Sequence, residues 1–333
     1  MATPIERTAD GPVLSVIVPA TDGPPTLDRC VAAIRGASDG PEELIVVDSP
    51  PGSGPAAARN AGAERASGVL LAFVDSDVVV HDDAFERMRA AFAAEPALVA
   101  VFGSYDDAPS ERGHVSVFRN LLHHWVHHSS AGRATTFWAG LGAVRSDAFR
   151  AVGGFDSRRF GAPSVEDIEL GLRLARTGTI RLDPRIQGKH LKRWRLRDMV
   201  KTDLAYRGAP WVALMLARGR TSFRLNVSAR HLAGTVACLT ALALAIAGQL
   251  AAAAALMVLF IAVNAGLYRL LVKRGGVPAA IAGFGLHVLH SVIALLAVPA
   301  GLFLYARHWA RRPGRRSTPS ADAVQPGPGA GAA

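Results

Sequence analysis

"VLLAFVDSDVVV", residues 69–80, makes two demands that conflict. From Val69 to Val74 the run is apolar and follows Gly68, the pattern of a strand covered on both faces. Asp75 and Asp77 then place two carboxylates one residue apart, before the apolar run resumes at Val78. Taking carboxylates out of water is costly unless another charge compensates them. The pair therefore asks for a partner at the end of a buried strand.

The flanking sequence alternates strand and helix patterns. Strands are expected at 13–20 ("VLSVIVPA"), 43–48 ("ELIVVD"), 69–77 and 97–105 ("ALVAVFGSY"). Helices are expected at 26–36, 55–68 and 82–96, closed or bounded by Gly36, Gly68 and Pro96. Strands separated by helices of this length indicate an α/β fold, a mainly parallel sheet with helices on both faces. Ligands of such sheets bind beyond the carboxyl ends of the strands. Asp48, Asp75 and Asp77 all fall at those ends.

The chain changes character near residue 232. Half of its 333 residues are hydrophobic, and they are unevenly spread. No charged side chain occurs from Leu232 to Tyr268, and Ala279–Ala306 is uncharged apart from His287 and His290. Apolar runs of 18 or more residues are candidates for crossing a bilayer. The first run has room for two helices with a turn near Gly248-Gln249. For the second, an interfacial helix or re-entrant piece with both histidines on its polar side would reconcile the basic residues on either side of it, Arg269, Lys273 and Arg274 before and Arg307 onward after. The net charge of +10 concentrates before the first run: Arg185–Arg230 holds twelve Lys/Arg and two Asp. Basic clusters beside apolar spans mark the cytoplasmic side and attract anionic headgroups. No nucleic-acid-binding signature accompanies them, so no nucleic-acid partner is expected. Thr3–Gly11 lacks a signal-peptide pattern, and Cys30 and Cys238 suggest no disulfide framework.

The loops hold neither a P-loop nor a G-x-G-x-x-G after the first strand. Two carboxylates spaced i, i+2 can instead hold Mg²⁺ or Mn²⁺ with positions left for phosphate oxygens. Alone, such a pair is a weak signal and is more often a solvated turn.

Five blocks in order decide between these. "SVIVPA", "LIVVDS", "AARNAGAERASGVLLAFVDSD", "TFWAGLGAVRSDAFRAVGGFD" and "VEDIELGLRLARTG", followed by "HLKRW", resemble the family 2 glycosyltransferases of GT-A fold, in the membrane-associated bacterial type. The resemblance covers about 12–215. It implies a nucleotide-sugar donor, a divalent metal and transfer with inversion. It also implies roles for matching residues. Pro19, Ala20, Asp48, Arg59, Asp75 and Arg193 would bind the nucleotide, although "DSPPGS" replaces the family's usual D-D-G-S after Asp48. Arg59 is equally readable as an exposed helix arginine. Asp75, Asp77 and His190 would hold the metal, His190 standing where the family has Gln. Asp167 would be the general base, with Glu166 positioning it or the acceptor. Trp138, Gly140 and Trp194 would line the acceptor side.

Some of these residues also have plainer readings. Ser164 and Asp167 have capping-box spacing, and Glu169/Arg173 pair at i, i+4 in a helix that Gly178 ends. "NLLHHWVHH" (120–128) carries histidine pairs at i, i+4 that could bind zinc but lacks an accompanying acid or cysteine, so an acceptor-lining or surface helix is the expectation.

The organisation expected is a flexible start (1–11), a GT-A domain (12–215), a basic linker (216–231), transmembrane helices (232–306) and a basic, then Pro/Gly/Ala-rich, tail (307–333). The sheet and its helices are expected to be complete before Leu232, so the domain is expected to fold and bind donor without residues 231–333. The function expected is a multi-pass, inner-membrane, metal-dependent hexosyltransferase with its catalytic domain in the cytoplasm. It would act on a lipid or lipid-linked glycan acceptor, as in cell-envelope synthesis. The alternatives are the same chemistry on a soluble acceptor and an inactive sugar-nucleotide-binding scaffold. A transporter is disfavoured because the apolar runs lack central charges.

Overall fold

The structure, a computed structural model, describes residues 7–8, 11–218 and 229–308. Most of the expected N-terminal segment, much of the linker and nearly all of the tail lie outside them. β1 (Arg7–Thr8) and β2 (Gly11–Pro12) form a small antiparallel pair. The main sheet begins with β3 (Leu14–Pro19), β4 (Glu43–Val47) and β5 (Leu70–Val74), all parallel. Helices α1 (Leu27–Gly36) and α2 (Pro55–Arg65) make the crossovers. β6 (Val78–Val80), α3 (Ala84–Ala94), β7 (Leu98–Tyr105) and α4 (His114–His128) follow. Next come β8 (Gly132–Ala134), β9 (Leu141–Arg145), α5 (Ser146–Ala151), α6 (Glu166–Leu174) and β10 (Thr179–His190).

The sheet order is β4-β3-β5-β9-β7-β10-β6, with β8 on β10. β9 lies between β5 and β7 and runs antiparallel to both. The sheet is therefore mixed, as in GT-A folds, rather than simply parallel. Strand-helix alternation foretells crossovers, but it cannot foretell a short glycine-bearing strand that re-enters the middle of the sheet. Within β5, Leu71 and Phe73 join one core cluster, while Leu70, Ala72 and Val74 join the other. This is the period-two alternation of a strand, and it explains a run apolar throughout: both faces are covered.

The C-terminal elements are α7 (Leu196–Lys201), a π-helical turn (Thr202–Gly208), α8 (Ala209–Arg218), α9 (Ala229–Ile246), α10 (Leu250–Val263) and α11 (Ala265–His308). The expected turn falls at Gly248, whose φ of 79° suits glycine. α11 is bent at Gly276, where φ is 74°. Residues 265–307 form one helix long and apolar enough to cross a membrane, while 230–246 and 250–263 are shorter apolar helices. One candidate span does not support the expected multi-pass, inner-membrane arrangement. His287 and His290 face inward, not to a polar surface: His287 meets the Tyr268 hydroxyl at 3.1 Å and His290 meets Asp203 at 3.0 Å.

α11 also completes the globular domain. Leu267, Leu271 and Ala279 share a core with Phe118, Trp125, Trp194 and Met199. The sheet is indeed finished before Leu232, but α4, which packs beside it, is covered by α11.

Candidate active site

Two carboxylates converge on one guanidinium. Arg59, on the buried side of α2, donates from Nη2 to Asp75 Oδ1 at 2.6 Å and from Nη1 to Glu166 Oε1 at 3.0 Å. It is 4% exposed. Its ring partner is Phe155, 5.4 Å from the guanidinium carbon. Arg59 is thus not an exposed helix arginine; it ties the end of β5 to the start of α6. Glu166 Oε2 also accepts from the Ser164 amide at 2.8 Å. The capping box does not form: the Ser164 hydroxyl turns away to the Tyr206 carbonyl at 2.8 Å, and Val165 is the N-cap. α6 closes at Leu174, with Gly178 one loop beyond, while Glu169 pairs with both Arg173 and Arg218.

Asp167 stands next to this pair. Its Oδ2 lies 3.4 Å from the Ala139 amide and its Oδ1 accepts from the Ile168 amide at 2.7 Å. Burial pushes the carboxyl up to about 7, and Glu166 beside it adds to the shift while Arg59 opposes it. That value suits a base working near neutrality. The neighbouring Gly140 carbonyl accepts from the Asp75 amide at 3.0 Å, so the 138–140 loop bridges the two acids. The loop leaves no room for larger residues. A Cβ at Gly140 would come within 2.4 Å of the Trp138 indole, and one at Gly142 within 2.7 Å of the Trp138 carbonyl. A Cβ at Gly171 would meet the Phe137 amide at 2.2 Å, so α6 rests directly on this backbone.

Asp77 is next to His190, whose Nε2 is 3.5 Å from Asp77 Oδ2. The Leu191 amide donates to the Asp77 carbonyl at 2.8 Å. β6 and β10 pair here, setting Val78 opposite His190. Burial works against ionisation of Asp77, but the His190 hydrogen bond and the His190 and Lys192 charges prevail and lower its carboxyl below the ordinary aspartate value. Burial raises Asp75, opposed by Arg59 and reinforced by Asp77 and Glu166. Among the described residues, no three acid, His or Cys side chains are drawn close enough to form a finished metal site. The donor set still fits a hard cation: the Asp75 and Asp77 side chains are 32% and 26% exposed, and carboxylates are the ligands such ions prefer. Arg59 answers only part of the charge of Asp75, Asp77, Glu166 and Asp167.

The other expected residues divide. Pro19 and Ala20 are buried at the end of β3, where the Ala20 amide donates to the Val47 carbonyl at 2.8 Å; Asp48 follows Val47 and is exposed. Arg193 is exposed and Trp138 half-buried. Trp194 is 8% exposed and packs under Arg119 and Lys192, at 4.9 and 4.6 Å, so its faces are taken by cations and core. Three of the α4 histidines have partners within the protein. His124 and His127 bond the Tyr105 and Gly103 carbonyls at 2.9 Å, and His128 meets Gln187. Nor is α4 a surface helix, since nine of its residues are buried. Tyr105 escapes a reading of the sequence: its ring stacks on His190 at 4.1 Å and meets Trp138 edge-on at 4.9 Å, joining the end of β10 to the 138–140 loop. Its only signal is a polar aromatic at the end of an apolar strand.

Residues 49–152 match the family model described as glycosyl transferase family 2. The "Pre-mycofactocin glycosyltransferase" of Mycobacterium tuberculosis is 27% identical over 227 residues, 59% of this chain and 46% of that protein. An uncharacterized glycosyltransferase of Haemophilus influenzae is 33% identical over 78 residues, 23% of this chain and 31% of that one. The chain thus spans about half the length of the first relative and less of the second. Among solved structures, the mannosyltransferase PcManGT from Pyrobaculum calidifontis, in complex with GDP-Man and Mn²⁺, superposes with a TM-score of 0.53 at 14% identity, covering 91% of this chain and 88% of that one. The likeness is one of fold. The matched segment runs through Asp75, Asp77 and the 138–142 loop, so this part of the chain is similar to family 2 glycosyltransferases, and its fold is like that of a GT-A glycosyltransferase.

Proposed function

We propose that this protein is a membrane-associated, inverting glycosyltransferase that moves a hexose from a nucleoside-diphosphate sugar to a lipid or lipid-linked acceptor. The observation that carries the reading is the arrangement around Arg59. A donor-side acid, Asp75, and an acceptor-side acid pair, Glu166 and Asp167, are fixed across one cleft by a shared guanidinium and by the 138–140 loop.

In this reading Pro19, Ala20 and Asp48 border the nucleotide, beyond the strand ends where such sheets bind ligands. Asp75, Asp77 and His190 would hold Mg²⁺ or Mn²⁺, which when bound supplies charge stabilisation to the diphosphate leaving group. Arg193, exposed three residues after His190, would add a second cation for that group. Asp167 accepts the proton of the acceptor hydroxyl as the new C–O bond forms and the sugar–phosphate bond breaks on the opposite face. Glu166, held by Arg59 and the Ser164 amide, fixes the position of α6. Trp138 offers an indole face to the acceptor sugar, an arrangement aromatic rings favour. Arg59 acts as a positioning residue.

Titration of the full-length protein with UDP and GDP, with and without Mn²⁺, tests the donor half of this reading. Binding of one of them that requires the metal supports it. Absence of metal-dependent binding to any nucleoside diphosphate overturns it.

A further inference from the structure

We infer that the chain enters the membrane from one side only: the α9–α10 hairpin dips into a single leaflet and returns, and does not cross. The inference rests on the membrane-associated reading above and adds its topology. Both ends of the hairpin are fastened to the catalytic domain. Arg230, at the start, donates to Ser129 at 2.7 Å and lies 4.3 Å over the Trp125 ring. After the hairpin, Gly266 packs against the same indole and Arg274 bonds Asp107 at 2.8 Å.

Length then limits how far the hairpin reaches. Ala237, Cys238 and Phe260 are packed against Phe284 and Val288 of α11. The roughly eight residues from Cys238 to Ile246 add about 12 Å of helix, against a hydrocarbon core of about 30 Å. The tip is built for lipid rather than for water on a far side. Ile246 is 89% and Leu250 68% exposed, and the tip carries no charge. Its turn closes on itself: Gly248 donates to the Ala245 carbonyl at 3.1 Å, and Gln249 to the Leu244 carbonyl at 2.9 Å. Backbone groups satisfied within the turn are what a bilayer interior requires. α11 does not leave the domain either, since Arg274 bonds Asp107, His290 bonds Asp203 and Gly301 abuts Val212. Its outward Leu295, Leu296, Val298, Leu302 and Phe303 are 44–64% exposed and suit the apolar edge of the same leaflet. This arrangement leaves Arg269, Lys273 and Arg274 on one side, facing anionic headgroups.

The test uses full-length protein with Cys30→Ala, Cys238→Ala and Gln249→Cys, reconstituted from outside onto vesicles of phosphatidylcholine and phosphatidylglycerol. Expected results are flotation with the vesicles, quenching of a fluorophore on the introduced thiol by doxyl groups on lipid chains, and no reaction of that thiol with an impermeant maleimide sealed inside. Flotation with reaction inside overturns the topology but leaves membrane association standing. Protein that does not float overturns membrane association and this inference together. As a second measure, Gln249→Arg should weaken vesicle partitioning about tenfold or more, because a charge would enter hydrocarbon; unchanged partitioning overturns the inference.

Discussion

Arg59 and Asp75 meet at 2.6 Å inside the fold, one from helix α2 and the other from the end of β5. The contact turns a costly buried carboxylate into half of an ion pair and passes the arginine's second amino group to Glu166 at 3.0 Å. Replacing one member of such a buried pair leaves the others uncompensated, at about 3–5 kcal/mol when fully enclosed. Arg59→Met is therefore expected to lower unfolding free energy by about 3 kcal/mol in urea titration, the lower end because Asp75 is partly exposed. Stability within about 0.5 kcal/mol of wild type would show that the pair does not hold the cleft together.

Asp77→Ala should remove metal-dependent nucleotide binding while leaving the melting temperature nearly unchanged, since its carboxylate is part-exposed and is met by His190 at 3.5 Å rather than held in a short ion pair like that of Arg59 and Asp75. Retained Mn²⁺-dependent affinity, measured by titration calorimetry, would move the metal elsewhere.

Asp167 separates base from structural acid. With its carboxyl pushed up to about 7, turnover should rise with pH through about 7 and level off above it. Its stability effect has the opposite sign. The folded state holds a proton that the unfolded aspartate, near 3.9, releases, so wild type loses stability as pH rises between those values. Asp167→Asn avoids that loss. The melting temperature of Asp167→Asn relative to wild type should therefore increase from pH 5 to pH 8, while turnover falls about a hundredfold or more. A variant with wild-type turnover would direct attention to Glu166.

Much of this is legible in the sequence, for identifiable reasons. The strands at 14–19, 43–47, 70–74 and 98–105 announce themselves as apolar runs, and the helices between them as segments bounded by glycine or proline, whereas Val78–Val80 gives no sign of being a separate strand. The acids at 75, 77, 166 and 167 are visible as charges where apolar patterns break. The β9 insertion is not visible, since a five-residue strand carries no sign of its partners. Neither is the burial of Trp194, which depends on α11 folding back from about seventy residues downstream, nor the inward turn of His290 toward Asp203. Contacts of that range leave no local trace in sequence.

The same long-range contacts make α11 part of the domain. A chain ending at Arg218 would uncover Phe118, Trp125, Trp194 and Met199 and leave the buried Arg119–Asp203 pair at a new surface. It is expected to aggregate on purification without detergent, as seen by size-exclusion chromatography. A monodisperse, cooperatively melting fragment would show α11 to be a separate unit.

Gly171→Ala tests positioning at a distance from the reacting atoms. The new methyl would meet the Phe137 amide at 2.2 Å, so α6 must shift and carry Asp167 with it. A displacement of about 1 Å can cost about a hundredfold in rate. Turnover should fall while nucleotide affinity holds, read as kcat against Kd.

Cleavage of a sugar–diphosphate bond at the proposed site is tested most directly by release of nucleoside diphosphate. Full-length protein incubated with a panel of UDP- and GDP-sugars and Mn²⁺ should release diphosphate from one of them, faster with membrane lipid extract present. That release should vanish in Asp77→Ala and drop about a hundredfold in Asp167→Asn. No release from any nucleotide sugar, or release indifferent to both substitutions, would contradict the account.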